Sequence, residues 1–361
     1  MRRLFYMAAA LFLAAALCIP CHAREISAQS ALVLDASTGR VLYEKNADQR
    51  SLIASTTKIM TALIVCEQCN VLDRTRIPQA AVGIEGSSMY LQAGEVLKVQ
   101  ELLYVMMLHS GNDAATALAI YCAGTVEGFA ELMNDKARSL GLKDTHFTNP
   151  HGLDAPDHYS TARDLAVLSA YAIKNPIFAK TVGARQVTVG SRSLRNHNKL
   201  LWRVEGANGV KTGYTRAAGR ILVSGACRDG RQLISVTIHA PDDWNDHAYL
   251  LEDGFSRFTH TQIIQKDQSM GSLDVLEGTD STVSLLAEEG FSFPMAKGEQ
   301  ISVELPGSGF VYAPVTEGAE AGYAHILVDG VSVDKVKLVF GQTVERRKLQ
   351  EKSFFQKLFG G

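Results

Sequence analysis

The chain has 361 residues, is 46% hydrophobic and 20% charged, and carries a formal net charge of -2 at pH 7. That is enough apolar material for one large domain and a smaller one, and it excludes a largely disordered chain. The near balance of charge gives no general electrostatic reason to bind nucleic acid, so that class of partner is set aside.

Taken in chain order, residues 1–23 read as an export signal. Arg2 and Arg3 precede an apolar run from Leu4 to Ile19, and Cys21-His22-Ala23 supplies small residues for cleavage, so the mature chain is expected to start near Arg24. The run is short for a membrane span. Four cysteines then remain, Cys66, Cys69, Cys122 and Cys227, too few and scattered to build the fold from disulfides. Cys66 and Cys69 have redox or half-zinc spacing, but no second pair completes a metal site, so both are expected to be buried or incidental thiols.

Residues Ala31 to Glu44 alternate as a hairpin around "STGR". A helix is expected from about Ser55 to Val65, where Ile59, Met60, Leu63 and Ile64 form an apolar stripe. Further helices fall in "VQELLYVMML", "DAATALAIYCA", "GFAELMNDKARSLG" and "STARDLAVLSAYAI", the last with Ser160 or Thr161 as N-cap. From Asn208 the pattern turns to three strands joined by short turns at "RAAG" and "RDGRQ", an antiparallel meander. Adding the hairpin gives an α+β fold, a five-stranded antiparallel sheet flanked by helices, and "WNDHAYLLEDGFSRF" closes it as a last helix. The boundaries read as 24–260 for this domain and 261–342 for a small all-β domain of short, turn-punctuated segments. Residues 343–361 form a basic amphipathic tail in which Phe354, Phe355, Leu358 and Phe359 share a helical face, the arrangement of an interfacial membrane contact.

Chemistry concentrates at a few short motifs. Ser55 and Lys58 stand three apart at a helix start, on one face and about 4.5 Å apart along the axis, so an uncharged amine can reach the hydroxyl and act as its base. Alone the spacing proves little, because Ser332 and Lys335 repeat it within a strand, where the two side chains point to opposite faces. Two more motifs add weight: Ser110 and Asn112 in a turn between helices, and Lys211-Thr212-Gly213 on a strand that Gly213 leaves open to a ligand.

Ser-x-x-Lys, Ser-x-Asn and Lys-Thr-Gly in that order resemble the signature of penicillin-binding proteins and class A β-lactamases. With "SLIASTTKIMTAL", "GSSMYL", Leu103 to Ala115, "THFTNPHGLD", "HYSTARDLA", "NHNKLLW", "GVKTGYT" followed by "AGR", and "APDDWNDH", the mature chain is similar throughout to the serine-type D-Ala-D-Ala carboxypeptidases, the low-molecular-mass penicillin-binding proteins. The resemblance implies an exported enzyme at the outer face of the bacterial cytoplasmic membrane. It would need no cofactor, act on peptidoglycan stem peptides and be acylated by β-lactams. It also implies roles: Ser55 as nucleophile, Lys58 as its base, Ser110 and Asn112 in proton transfer and positioning, Lys211 as a source of positive potential. The backbone N–H groups of Ser55 and Tyr214 would form the oxyanion hole. Thr212 is one partner for the substrate carboxylate, and Arg220, which opens the neighbouring strand, is the other.

Three rivals compete with this reading. A class A β-lactamase needs a Glu-x-x-Leu-Asn run between the second and third motifs, and "ELMND" at Glu131 has the wrong spacing. An endopeptidase remains open as a side activity, and an idle wall-binding or β-lactam-sensing protein would be natural only if a motif residue were missing.

Overall fold

A computed structural model describes residues 25–348 apart from 306 and 308. The export signal and the apolar part of the tail lie outside the described residues.

The expected α+β architecture is present. Strands β1 (Ser30–Asp35) and β2 (Val41–Lys45) form the N-terminal hairpin. A 3₁₀ turn, Ala54–Thr57, runs into helix α1 (Lys58–Gln68). Helices α2 (Val99–Leu108), α3 (Asn112–Ala123), α4 (Val126–Ser139), α5 (Ala162–Ala172) and α6 (Pro176–Gly183) follow. Strands β3 (Ala207–Thr215), β4 (Gly219–Arg228) and β5 (Arg231–Ile238) then make the meander, and α7 (Asp243–Arg257) ends this part of the chain. The five strands pair in the order β2-β1-β5-β4-β3, every pair antiparallel. The strand carrying Lys211-Thr212-Gly213 is therefore an edge strand, with one side free to meet the 3₁₀ turn and a substrate.

Period-two alternation explains the layering. On β1, Leu32 and Leu34 point into the larger core with Ile59, Leu63 and Val105, while Ala31 and Val33 point the other way, onto Leu250 and Leu251 of α7. Each fully buried Leu, Ile or Val among them contributes roughly 1.5–3 kcal/mol. The sheet is thereby held from both faces, and α1 is anchored with every residue from Lys58 to Cys66 buried.

α7 passes directly into β6 (Phe258–Ile264). Strands β7 (Ser269–Leu276), β8 (Thr282–Ala287), β9 (Phe291–Ala296), β10 (Ile301–Glu304), β11 (Phe310–Tyr312), β12 (Glu320–Val328) and β13 (Val331–Phe340) complete an all-β region. Six of them form one sheet in the order β10-β12-β13-β8-β7-β11, and β6 pairs with β9. Its own core includes Val283, Leu285, Ala324 and Leu338.

Two expectations are corrected. The helix does not begin at Ser55: Ala54 takes a positive φ of 44°, and Ser55 sits in the 3₁₀ turn, one turn before the α-helix proper. Cys69 is not a thiol. It forms a disulfide with Cys122, joining the end of α1 to the end of α3 across 53 residues, whereas Cys66 is a free, buried thiol. A pairing that distant depends on how helices dock, which spacing alone does not reveal.

Candidate active site

Ser55, Lys58, Asn112 and the Lys-Thr-Gly strand converge at the C-terminal end of β3. The amine of Lys58 is fully buried and lies 2.9 Å from Ser55 Oγ, 2.7 Å from Asn112 Oδ1 and 2.6 Å from the carbonyl oxygen of His151. The Asn112 amide is oriented by its own nitrogen, which donates to the Glu85 carbonyl at 2.6 Å. Burial first, and then the charge of Lys211, push the Lys58 amine well below the ordinary lysine range, with Asp113 pulling the other way. Uncharged, the amine has two N–H donors and one lone pair. Asn112 Oδ1 and the His151 carbonyl accept the two hydrogens, which leaves the lone pair facing the Ser55 hydroxyl.

The 3₁₀ turn is itself braced. Thr57 Oγ1 donates to the Ala54 carbonyl at 2.9 Å and meets His158 Nε2 at 2.8 Å. His158 Nδ1 accepts from the Thr148 N–H at 3.0 Å, so the ring is neutral with its proton on Nε2, and burial lowers its pKa to about 4. The 149–153 loop closes the opposite wall. Asn149 Oδ1 accepts from the Gly152 N–H at 2.7 Å, and Thr61 Oγ1 donates to the Pro150 carbonyl at 2.7 Å, which fixes the His151 carbonyl over Lys58. Gly152, at φ +87°, packs so closely that a Cβ there would lie 1.8 Å from the Ala54 carbonyl oxygen.

Gly213 explains the approach of β3 from the other side. A Cβ at that position would lie 3.3 Å from Ser55 N, Ala54 Cβ and the Ile53 carbonyl, so any side chain there would require the turn to give way by a few tenths of an ångström. Lys211 is buried, donates to the Thr212 carbonyl at 2.8 Å, and has its pKa lowered to about 7 by burial. Ser110 is buried in the turn before α3, with φ 68°. Tyr214 pairs across the ladder with Arg220, and both border a cavity of about 140 Å³ together with Thr212 and Trp244. Arg220 is bonded at 2.8 Å to the buried carboxylate of Asp243 and lies 5.7 Å from the Trp244 ring.

The match to known proteins agrees with this geometry. Residues 19–242 match the family model described as D-alanyl-D-alanine carboxypeptidase, more than half of the chain. The chain belongs to that family. Residues 258–346 match a second model, the C-terminal domain of penicillin-binding protein 5. D-alanyl-D-alanine carboxypeptidase DacF of Bacillus subtilis is 33% identical over 319 residues, 84% of this chain and 82% of the relative. DacC of Escherichia coli is 33% identical over 90% of this chain and 86% of its own length. The solved structure of penicillin-binding protein 5 from Haemophilus influenzae superposes with a TM-score of 0.78 at 30% identity, over 90% of this chain and 99% of that one.

Within this carboxypeptidase, Ser55, Lys58, Asn112, Lys211 and Gly213 are brought together, Thr212, Gly213, Tyr214 and Arg220 border one cavity, and Ser110 is buried two residues before Asn112 with no bond to the others among the described contacts. The repeated spacing at Ser332 and Lys335 falls on an exposed stretch of β13, away from any such cluster, and Glu131 is exposed on α4. Sequence reasoning gave no role to Asn149, His151 or Gly152. Two of them act through backbone atoms, and only the polar run "TNPHG", too short for an element, marked the place.

Proposed function

We propose that this protein is a serine D-Ala-D-Ala carboxypeptidase acting outside the cytoplasmic membrane on the stem peptides of peptidoglycan. The observation that carries the assignment is the fully buried Lys58 amine held between Asn112 and the His151 carbonyl with its remaining contact to Ser55. In this reading Ser55 Oγ attacks the carbonyl of the penultimate D-alanine while Lys58 takes the hydroxyl proton. Ser110 and Lys58 return that proton to the departing D-alanine nitrogen, and Asn112 keeps Lys58 aligned. The N–H groups of Ser55 and Tyr214 receive the developing oxyanion, a contribution of roughly 3–4 kcal/mol per donor. Water then cleaves the ester and restores Ser55.

Thr212 and Arg220 are assigned to the terminal carboxylate, and Lys211 supplies positive potential when substrate binds. β-Lactams acylate the same serine, and the lack of a Glu-x-x-Leu-Asn run between Asn112 and Lys211 supports a slowly hydrolysed adduct. The basic tail is assigned to a membrane surface. The test is release of free D-alanine from a synthetic pentapeptide ending in D-Ala-D-Ala, alongside labelling by a fluorescent penicillin. Wild type should do both and Ser55→Ala neither. Rapid repeated hydrolysis of benzylpenicillin would instead favour a β-lactamase.

A further inference from the structure

Past Tyr214, where β3 ends, lies a cavity of about 710 Å³. Three segments line it: Glu85 in the stretch before α2, Leu153 and Asp154 where the 149–153 loop ends, and Thr215, Arg216 and Ala217 where β3 turns toward β4. Each segment is tied down by its backbone. The Glu85 carbonyl accepts from Asn112 Nδ2 at 2.6 Å, beside the bond that Asn112 makes to Lys58. The Leu153 carbonyl accepts from Asn149 Nδ2 at 3.0 Å, and the Leu153 N–H donates to His151 Nδ1 at 3.2 Å, within the loop that places the His151 carbonyl over Lys58. Thr215 Oγ1 accepts from the Ala218 N–H at 3.0 Å, closing the turn that carries Arg216. The charged groups themselves are exposed, and those of Glu85, Asp154 and Arg216 make no ion pair among the described residues. Two carboxylates and one guanidinium, held at fixed places around one cavity and left without partners, suit a ligand that carries both signs of charge.

The edge strand decides which part of the substrate arrives there. The proposed function puts the terminal carboxylate at Thr212 and Arg220 and the scissile carbonyl at the N–H groups of Ser55 and Tyr214. A stem laid along β3 therefore continues from Tyr214 toward Thr215 and Arg216. An extended chain advances about 3.3 Å per residue, so the third stem residue, one step before the D-alanine whose carbonyl is attacked, comes level with Thr215, and a long side chain on it enters the cavity. We infer that this cavity reads the side chain of the third stem residue and selects a diamino dicarboxylic acid over a diamino monocarboxylic acid such as lysine. Both kinds of residue bring an ammonium to Glu85 and Asp154. Only the dicarboxylic kind carries a carboxylate beside that ammonium, and only this carboxylate gives Arg216 a partner. With lysine the guanidinium stays unpaired at the mouth of the site, next to a cation of its own sign.

The inference rests on the carboxypeptidase reading, and the experiment separates the two. Purified protein is given two synthetic stem pentapeptides that end in D-Ala-D-Ala and differ only at the third residue, meso-diaminopimelate in one and L-lysine in the other, and release of D-alanine is followed for each. Wild type should turn over the diaminopimelate peptide with a kcat/KM about fivefold higher, the effect of one ion pair at a solvated site. Arg216→Gln should bring that ratio to about one by raising KM for the diaminopimelate peptide. Glu85→Gln combined with Asp154→Asn should raise KM for both peptides together, since both present the ammonium. Failure of the wild type to release D-alanine from either peptide would overturn the parent reading. Release with equal kcat/KM by the wild type, or a preference that survives Arg216→Gln, would overturn only the assignment of this cavity. An equal loss on both peptides in Arg216→Gln would overturn it as well, because the guanidinium would then be reading a carboxylate that the two peptides share.

Discussion

Two buried lysines define the residue-level problem. Each would be charged in water, and each is depressed here by burial, with Lys211 moved from the ordinary 10.5 to about 7. Between those two values the unfolded chain binds a proton that the folded one does not, so Lys211 subtracts stability near neutral pH, and the loss disappears as pH rises toward 10.5. Lys211→Met should therefore raise the melting temperature at pH 7, by on the order of 1–3 kcal/mol of stability once the lost bond to the Thr212 carbonyl is allowed for. The difference between the two proteins should shrink on titration to alkaline pH, and equal melting curves at pH 7 would show Lys211 to be solvated and charged in the fold. The same variant should lose most of its acylation by penicillin, since a methionine offers no positive potential. Arg220 is a different case, because it is partly exposed and already bonded to Asp243. A substrate carboxylate must share it, so Arg220→Ala should raise KM for D-Ala-D-Ala peptides by about tenfold, roughly 1.4 kcal/mol, with kcat little altered. An unchanged KM would leave Thr212 as the sole assigned partner.

At the scale of elements, the site is a clamp between the 3₁₀ turn, the 149–153 loop and the edge strand. Gly152 is its tightest point: an added methyl group meets the Ala54 carbonyl at 1.8 Å, and φ +87° is unfavourable for any side chain. Gly152→Ala should separate the loop from the turn and withdraw the His151 carbonyl from Lys58. The expected result is a fall of tenfold or more in the penicillin acylation rate, measured by stopped-flow or gel labelling, together with about 2 kcal/mol or more of lost stability. Wild-type acylation in this variant would mean that the His151 carbonyl does not set the state of Lys58. The contrast with the legible parts is instructive. β1, α1 and the β3–β5 meander announce themselves because their apolar runs are of element length and are bounded by turn residues. The loop does not, since it works through carbonyl oxygens that every residue possesses. The pairing of Arg74–Arg76 with Val96–Lys98 was equally silent, because a three-residue exposed strand buries too little to leave a pattern. α6 could have been found: Asn175 before Pro176 is an N-cap signal, and its side chain does accept from the N–H groups of Ile177 and Phe178.

Across the whole molecule, the all-β region is attached at the edge of the sheet opposite the Lys-Thr-Gly strand. Composition and turn spacing made that region visible in the sequence, but not its attachment, to which an arginine in the β1–β2 turn contributes. Arg40 donates to the Pro294 carbonyl and to Glu299, and its guanidinium lies 5.1 Å from the Phe258 ring and 5.0 Å from that of Phe293. Arg231, bonded to Asp35 within the sheet, reaches the Phe258 carbonyl at 2.6 Å from the other side. Although partial burial opposes it, the bond to Arg40 holds the Glu299 carboxyl below the usual glutamate range. A carboxyl depressed in this way stabilises the fold above its unfolded pKa, and the contribution is lost as pH falls below about 4.5. Arg40→Ala removes two hydrogen bonds and two ring contacts at once, at a cost of about 1–3 kcal/mol. Because β2 and β3 occupy opposite edges of the sheet, that cost should fall on the joint and not on the nucleophile. Limited proteolysis of Arg40→Ala should then cut faster near β6 and release a fragment that still labels with fluorescent penicillin at the wild-type rate. Mild acid should produce the same loosening in the wild type. If instead the variant resists protease as the wild type does, the arginine is dispensable and the two regions are held by the direct passage of α7 into β6 and by Arg231.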